Sequence, residues 1–182
     1  LAEHCHARGI QFSCTPFYLE AVEELAPYVD FYKVASYELL VMPLLEACAH
    51  SGKPVVLSTG MATIEEIKHA ASTLRHAGAH DITLLHCVSA YATPASEANL
   101  AAIKSIREAT GCKTGWSDHT RRPAVIERAV HHWNAAVVEF HLDLDGEGAE
   151  YASGHCWLPE EIAPVIARIH ESLFADGTGF KG

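Results

Sequence analysis

His119 and His141 are the residues of this chain best suited to hold a reacting atom in place. One lies just past a short apolar run and the other ends the next, so neighbouring parallel strands would bring both imidazoles within reach of one ion. Neutral imidazoles suit Mn, Zn, Fe or Co, and no four-ligand set at the spacing of a structural zinc site accompanies them. Glu139 stands two residues before His141, so both face the same side of a strand, and its carboxylate could orient the histidine or move a proton. A second group gathers hydroxyls around one ammonium: Thr15, Lys33, Ser36, Ser58, Thr59 and Ser117. Converging donors of this kind make a cradle for a phosphate or a carboxylate. Lys33 taken alone has a second chemistry open to it, that of a Schiff-base nucleophile. Tyr91 could hydrogen-bond a polyol or merely cover the mouth of a pocket. Of the 13 histidines, His86, His119, His141 and His155 fall where a site could use them, and most of the others belong to helices and turns facing solvent.

These residues share a position. Each follows a short apolar run, and six such runs, at about 10–14, 31–35, 54–58, 81–86, 112–116 and 136–141, predict strands. Helical stretches alternate with them. The clearest follows Thr63, which forms a capping box with Glu66; Ile64, Ile67, Ala71 and Leu74 then share a face, and Gly78 supplies the stop. Further helices are expected over 18–26, 39–50, 97–109, 122–133 and 160–173, with another near 2–8. Strand and helix in alternation mean βαβ units and a parallel sheet. Catalytic residue types at six strand ends in register point to a TIM (β/α)8 barrel, which keeps its chemistry at that end. Six strands would be a partial barrel of about six βα units, with the first two strands missing. An open doubly wound sheet is the alternative, without a glycine-rich nucleotide-binding turn to support it. The 142–158 segment, rich in glycine and acids, is too long for an ordinary connection and reads as a functional loop. Trp116, Trp157, Cys87 and Cys112 read as packing residues. Residues 1–175 are expected to form the barrel domain, and 176–182 a linker.

Bulk properties narrow the partners. The chain has 182 residues, enough for one good core, and its formal net charge is −10. That balance speaks against nucleic acid or an anionic membrane surface, so an anionic substrate must be held by local donors. No apolar run approaches the roughly 18–20 residues of a membrane span. The start carries no signal-peptide pattern, and the six cysteines are scattered without a C-x-x-C pair. Reduced thiols and a cytoplasmic location are the expectation.

Five segments carry a family resemblance: Phe12-Ser13-Cys14-Thr15-Pro16-Phe17, Tyr32-Lys33-Val34-Ala35-Ser36, Leu57-Ser58-Thr59-Gly60-Met61-Ala62-Thr63, the stretch from His86 to Pro94, and Gly115-Trp116-Ser117-Asp118-His119-Thr120. In this order they resemble the sialic acid synthase family (N-acetylneuraminate synthase type), over most of residues 10–141. The resemblance implies a barrel that condenses phosphoenolpyruvate with an N-acetylated amino sugar such as N-acetylmannosamine, yielding a nine-carbon 2-keto sugar acid and phosphate. It implies a divalent ion, typically Mn2+, on His119 and His141, and phosphoenolpyruvate on Thr15, Lys33, Ser36, Ser58 and Ser117. Tyr91 would contact the amino sugar, near Ser89, which stands where members often have Asn. Where the family has a Gly-Pro-Asp segment, this chain offers Glu150 or His155 instead. The family also implies a C-terminal antifreeze-like domain after the linker and a homodimer when full length. Two other functions remain open: a class I aldolase working through Lys33, and a non-catalytic sugar-binding barrel.

Overall fold

The computed structural model describes residues 1–175, so the segment read as a linker, 176–182, lies outside the described residues. After helix α1 (Ala2–Ala7), six strands alternate with helices: β1 (Ser13–Cys14), α2 (Glu20–Leu25), β2 (Phe31–Val34), α3 (Met42–His50), β3 (Val55–Ser58), α4 (Ile64–His76) and β4 (Ile82–Cys87). The chain continues through α5 (Ala102–Thr110), β5 (Lys113–Asp118), α6 (Pro123–His131), β6 (Val138–Phe140), α7 (Gly148–Ala152) and α8 (Pro159–Ala175). All neighbouring strands are parallel, and their order across the sheet is their order along the chain. Right-handed crossovers that always step the same way put the helices between strands on one face. The sheet therefore curls around its other face as a partial TIM barrel. A doubly wound sheet would need the order to reverse, and it does not.

Alternation along the strands sorts the two faces. Tyr32, Val34, Val55, Leu57 and Leu84 are fully buried on the outer face. They pack against Leu45 and Cys48 of α3 and Ile67, Ala71 and Leu74 of α4 in the main core cluster. The inner face carries Lys33, Val56, Ser58, Thr83, Leu85 and Glu139, and its concavity holds a cavity of about 900 Å³. Gly115 lets β5 approach the residue before β6: a Cβ there would lie 2.3 Å from the Val137 carbonyl oxygen.

Local chemistry explains the helix boundaries. At α4 the Thr63 hydroxyl accepts from the Glu66 amide and the Glu66 carboxylate accepts from the Thr63 amide, the expected capping box. The helix expected over 97–109 starts later, at Ala102, because Asn99 takes φ +42° and breaks the run after a 3-10 turn at Ala95–Glu97. Pro43 sits in the first turn of α3, where its missing N–H costs nothing, and residues 36–38 form a separate 3-10 turn. The 142–158 segment is not loop throughout; it contains α7 and a parallel bridge between Leu142 and Trp157. No helix among the described residues is long and apolar enough to cross a membrane.

Candidate functional site

The C-terminal strand ends bring Thr15, Lys33, Ser36, Ser58, Ser89, Tyr91, Ser117, His119, Glu139 and His141 to one pocket of about 330 Å³, with Tyr37 and Cys87. Strand pairing does most of this. Ser117 sits opposite Glu139 in the β5–β6 register, and Lys33 opposite Val56, two residues before Ser58. The Lys33 ammonium donates to the Ser58 hydroxyl (2.8 Å) and lies 3.4 Å from the Glu139 carboxylate. The Ser117 hydroxyl donates to the other Glu139 oxygen at 2.7 Å. Glu139 thus ties the ammonium to the hydroxyl ring. The Lys33 ammonium also donates to the Val34 carbonyl at 3.1 Å, so three acceptors hold it at the pocket wall. Ser36 accepts from the Gly60 amide, and Gly60 must be glycine for Ser36 and Ser89 to close over it, since a Cβ would come within 2.4 Å of Ser89 Oγ.

The imidazoles stand at the other side of the pocket. His119 Nδ1 is 2.8 Å from the Val88 carbonyl oxygen; a carbonyl only accepts, so Nδ1 carries the proton and Nε2 keeps its lone pair. The ring centroids of His119 and His141 are 5.1 Å apart, and Tyr91 stacks on His119 at 4.1 Å. Burial pushes the pKa of both histidines down, and for His141 the neighbouring His119 and His155 push it further. Both are therefore neutral at neutral pH, the form that ligates. His155, from the 142–158 segment, is buried, with its ring 4.6 Å from that of His141 and 4.8 Å from that of Tyr91. Glu150 is exposed, and its carboxylate lies 3.4 Å from His155 Nε2.

Three expectations fail here. His86 lies on the outer face, where its Nε2 donates to the Ala98 carbonyl at 3.0 Å and its ring packs 5.2 Å from Trp116. Strand alternation sends it away from the pocket, because Cys87, the next residue, points in. For the same reason Cys87 is no core filler: its Sγ lies 4.0 Å from His119 Nδ1. Thr59 spends its hydroxyl on the Leu85 carbonyl (2.9 Å), a tie between strands and not a ligand donor.

Sequence reasoning also missed the group that supports the imidazoles. The fully buried Asp118 carboxylate accepts five hydrogen bonds: from Trp116 Nε1, from the amide and hydroxyl of Thr120, from the Arg121 amide, and from Trp157 Nε1 across 39 residues. Arg121 then pairs with Glu161 and donates to the Tyr151 hydroxyl at 2.9 Å. Together they strap the 142–158 segment against the end of β5. The only local signal was an acid flanked by Ser117 and His119; its partners are too far along the chain to be read.

Comparison with known proteins adds the relatives. The NeuB family matches residues 1–181. An uncharacterised protein of Methanocaldococcus jannaschii is 39% identical over 184 residues, covering 97% of this chain and 53% of the relative. The N,N'-diacetyllegionaminic acid synthase of Campylobacter jejuni is 35% identical over 181 residues, covering 98% and 54%. Among solved structures, the N-acetylneuraminic acid (sialic acid) synthetase of Leptospira borgpetersenii superposes with a TM-score of 0.88 at 30% identity, over 99% of this chain and 63% of the other. The chain spans about half the length of the curated relatives it matches.

Proposed function

The chain belongs to the NeuB family, and from that premise we propose that the full-length protein condenses phosphoenolpyruvate with an N-acetylated amino sugar to a nine-carbon 2-keto sugar acid, releasing phosphate. The observation that carries this reading is the Lys33–Ser58–Glu139–Ser117 network facing the His119–His141 pair across one pocket. Related proteins named as synthases of diacetyllegionaminic and N-acetylneuraminic acids support it.

In this reading Lys33, Ser58, Ser117, Ser36 and Thr15 hold the phosphate and carboxylate of phosphoenolpyruvate. Tyr91, exposed at the mouth, and Ser89 face the sugar, with Glu150 and His155 beyond them. The alkene carbon bonds to the aldehyde carbon of the sugar as the aldehyde oxygen takes a proton and becomes a hydroxyl. Water adds at the cationic centre left behind. The resulting hemiketal phosphate then breaks its carbon–oxygen bond to phosphate and gives up its hydroxyl proton, leaving the 2-keto group. Glu139, already shared between Lys33 and Ser117, takes the proton of the added water. Fixed donors around the developing charges supply most of the rate because they need no reorganisation. The free Nε2 of His119 and the neutral His141 suit a divalent ion, which we take to be Mn2+. Such an ion supplies Lewis-acid polarisation of the aldehyde oxygen.

The test is phosphate release by the full-length protein from phosphoenolpyruvate and N-acetylmannosamine, with Mn2+ and again with EDTA. Release that requires both sugar and metal is expected. Sugar-dependent turnover that survives EDTA sinks the metal role. No release with any N-acetylated amino sugar, while the sugar still binds, makes this a non-catalytic barrel.

A further inference from the structure

The segment after β6 returns to lie beside it. The Trp157 amide donates to the His141 carbonyl at 2.8 Å and the Asp143 amide donates to the Trp157 carbonyl at 2.8 Å, so Trp157 is paired with the strand end that carries His141. Trp157 is anchored on its other side by Asp118. This places two buried side chains, His155 and Cys156, against the His141 ring; their exposures are 2% and 4%.

The protons on this cluster can be assigned. Ser153 has one hydroxyl proton, and it goes to the Glu150 carbonyl at 2.6 Å. The Ser153 oxygen therefore accepts from His155 Nδ1, also at 2.6 Å, and the lone pair is left to His155 Nε2, which faces the cluster with the Glu150 carboxylate 3.4 Å away. Cys156 Sγ lies 3.6 Å from that Nε2. Two ligands at about 2.3 Å (thiolate) and about 2.0–2.1 Å (imidazole) from a tetrahedral ion stand about 3.6 Å apart. The donor atoms of His141, His155 and Cys156 all lie within 4.8 Å of one another.

We propose that His141, His155 and Cys156 form a thiolate-containing cation site that selects Zn2+ over Mn2+. Its donors differ from the His119–His141 pair of the proposed function. A thiolate is a soft ligand that hard Mn2+ does not favour, and thiolate and imidazole donors, three in number with a fourth position left open, suit Zn2+. Because His141 is common to both sets, zinc held on the segment side withdraws one imidazole from the pair that faces the phosphoenolpyruvate cradle. Zinc and manganese thus compete through a shared ligand, and the segment that packs beside the pocket carries its inhibitor site. The site itself does not depend on the synthase reading, and the experiment reads metal, not turnover.

Metal-free full-length protein is titrated with Co2+ as a chromophoric stand-in for zinc, then with Zn2+ in competition. The expected result is a thiolate-to-cobalt charge-transfer band in the near ultraviolet, abolished by equimolar Zn2+. Cys156→Ser, a one-atom change, loses the band. His155→Ala weakens cobalt binding by about tenfold or more, and His119→Ala keeps both band and affinity. Far-ultraviolet circular dichroism of each variant shows whether it is folded. A wild-type protein without the band overturns the proposal, as does a band that survives in Cys156→Ser. So does a folded His119→Ala that loses binding while His155→Ala keeps it, since the ion would then sit on the His119–His141 pair alone.

Discussion

The strand-end cradle and the returning 142–158 segment beside it are held in place by different means. In the cradle, Lys33, Ser58, Ser117 and Glu139 come from four strands and meet because each faces inward at a register fixed by backbone pairing. Its members are replaceable as far as the fold is concerned, since the sheet is held by the outer-face core. The segment has only one short backbone pairing, at Trp157 beside His141 and Asp143. Side-chain ties of long sequence separation add to it: Asp118 to Trp157, and Arg121 to Glu161 and Tyr151. Function in the first region and stability in the second should therefore separate under mutation.

The sharpest break of that comparison is Lys33→Met. It should lower kcat/KM for phosphate release by about 10²–10³, the usual worth of one fixed donor at a developing charge, while the melting temperature hardly moves. A large loss of stability would show that the cradle is structural after all. Asp118→Ala should do the reverse. Removing the acceptor leaves buried donors from both tryptophans and from Thr120 unsatisfied, at a cost of about 3 kcal/mol by denaturant unfolding. Gly115→Ala belongs with it, because its Cβ meets the Val137 carbonyl at 2.3 Å and must push β6 away; about 2–3 kcal/mol is expected.

A smaller effect sharpens the comparison through pH. The Arg121 guanidinium holds the Glu161 carboxyl below its usual range, with help from the Leu158 amide. A lowered carboxyl stabilises the fold above its ordinary pKa, and that contribution is lost as pH falls through the lowered value. The pair is partly solvent-screened, so Glu161→Gln should cost below about 1 kcal/mol. The wild type should show an acid-induced rise in proteolysis of the 142–158 segment, and the variant should remove it. If the wild type shows no such rise, Glu161 does not hold the strap. Least of all, Cys48, whose thiol burial pushes up to about 12, should resist alkylation in the native protein and react only on unfolding.

Sequence pattern alone placed the cradle. A strand's period of two residues needs no distant information, so Lys33, Ser58, Ser117, Glu139 and the two histidines could be assigned to one face from their own neighbours. The capping box at Thr63 and Glu66 was legible for the same reason, being complete within four residues. The same rule would have turned His86 outward and Cys87 inward, had the strand's phase been fixed by more than its last residue. Residues 142–158 were recognisable only as too long and too polar for a simple turn.

What the amino-acid sequence determined by itself is the alternation of strand and helix, the family, and the residue types at each strand end, because these rest on contacts within a few residues. What only the tertiary structure decided is which distant groups meet: Asp118 with Trp157, Glu139 with both Lys33 and Ser117, and His155 and Cys156 with His141. Those meetings depend on sheet register and on how a 17-residue segment folds back on its own strand, and neither is encoded in any one stretch of the chain.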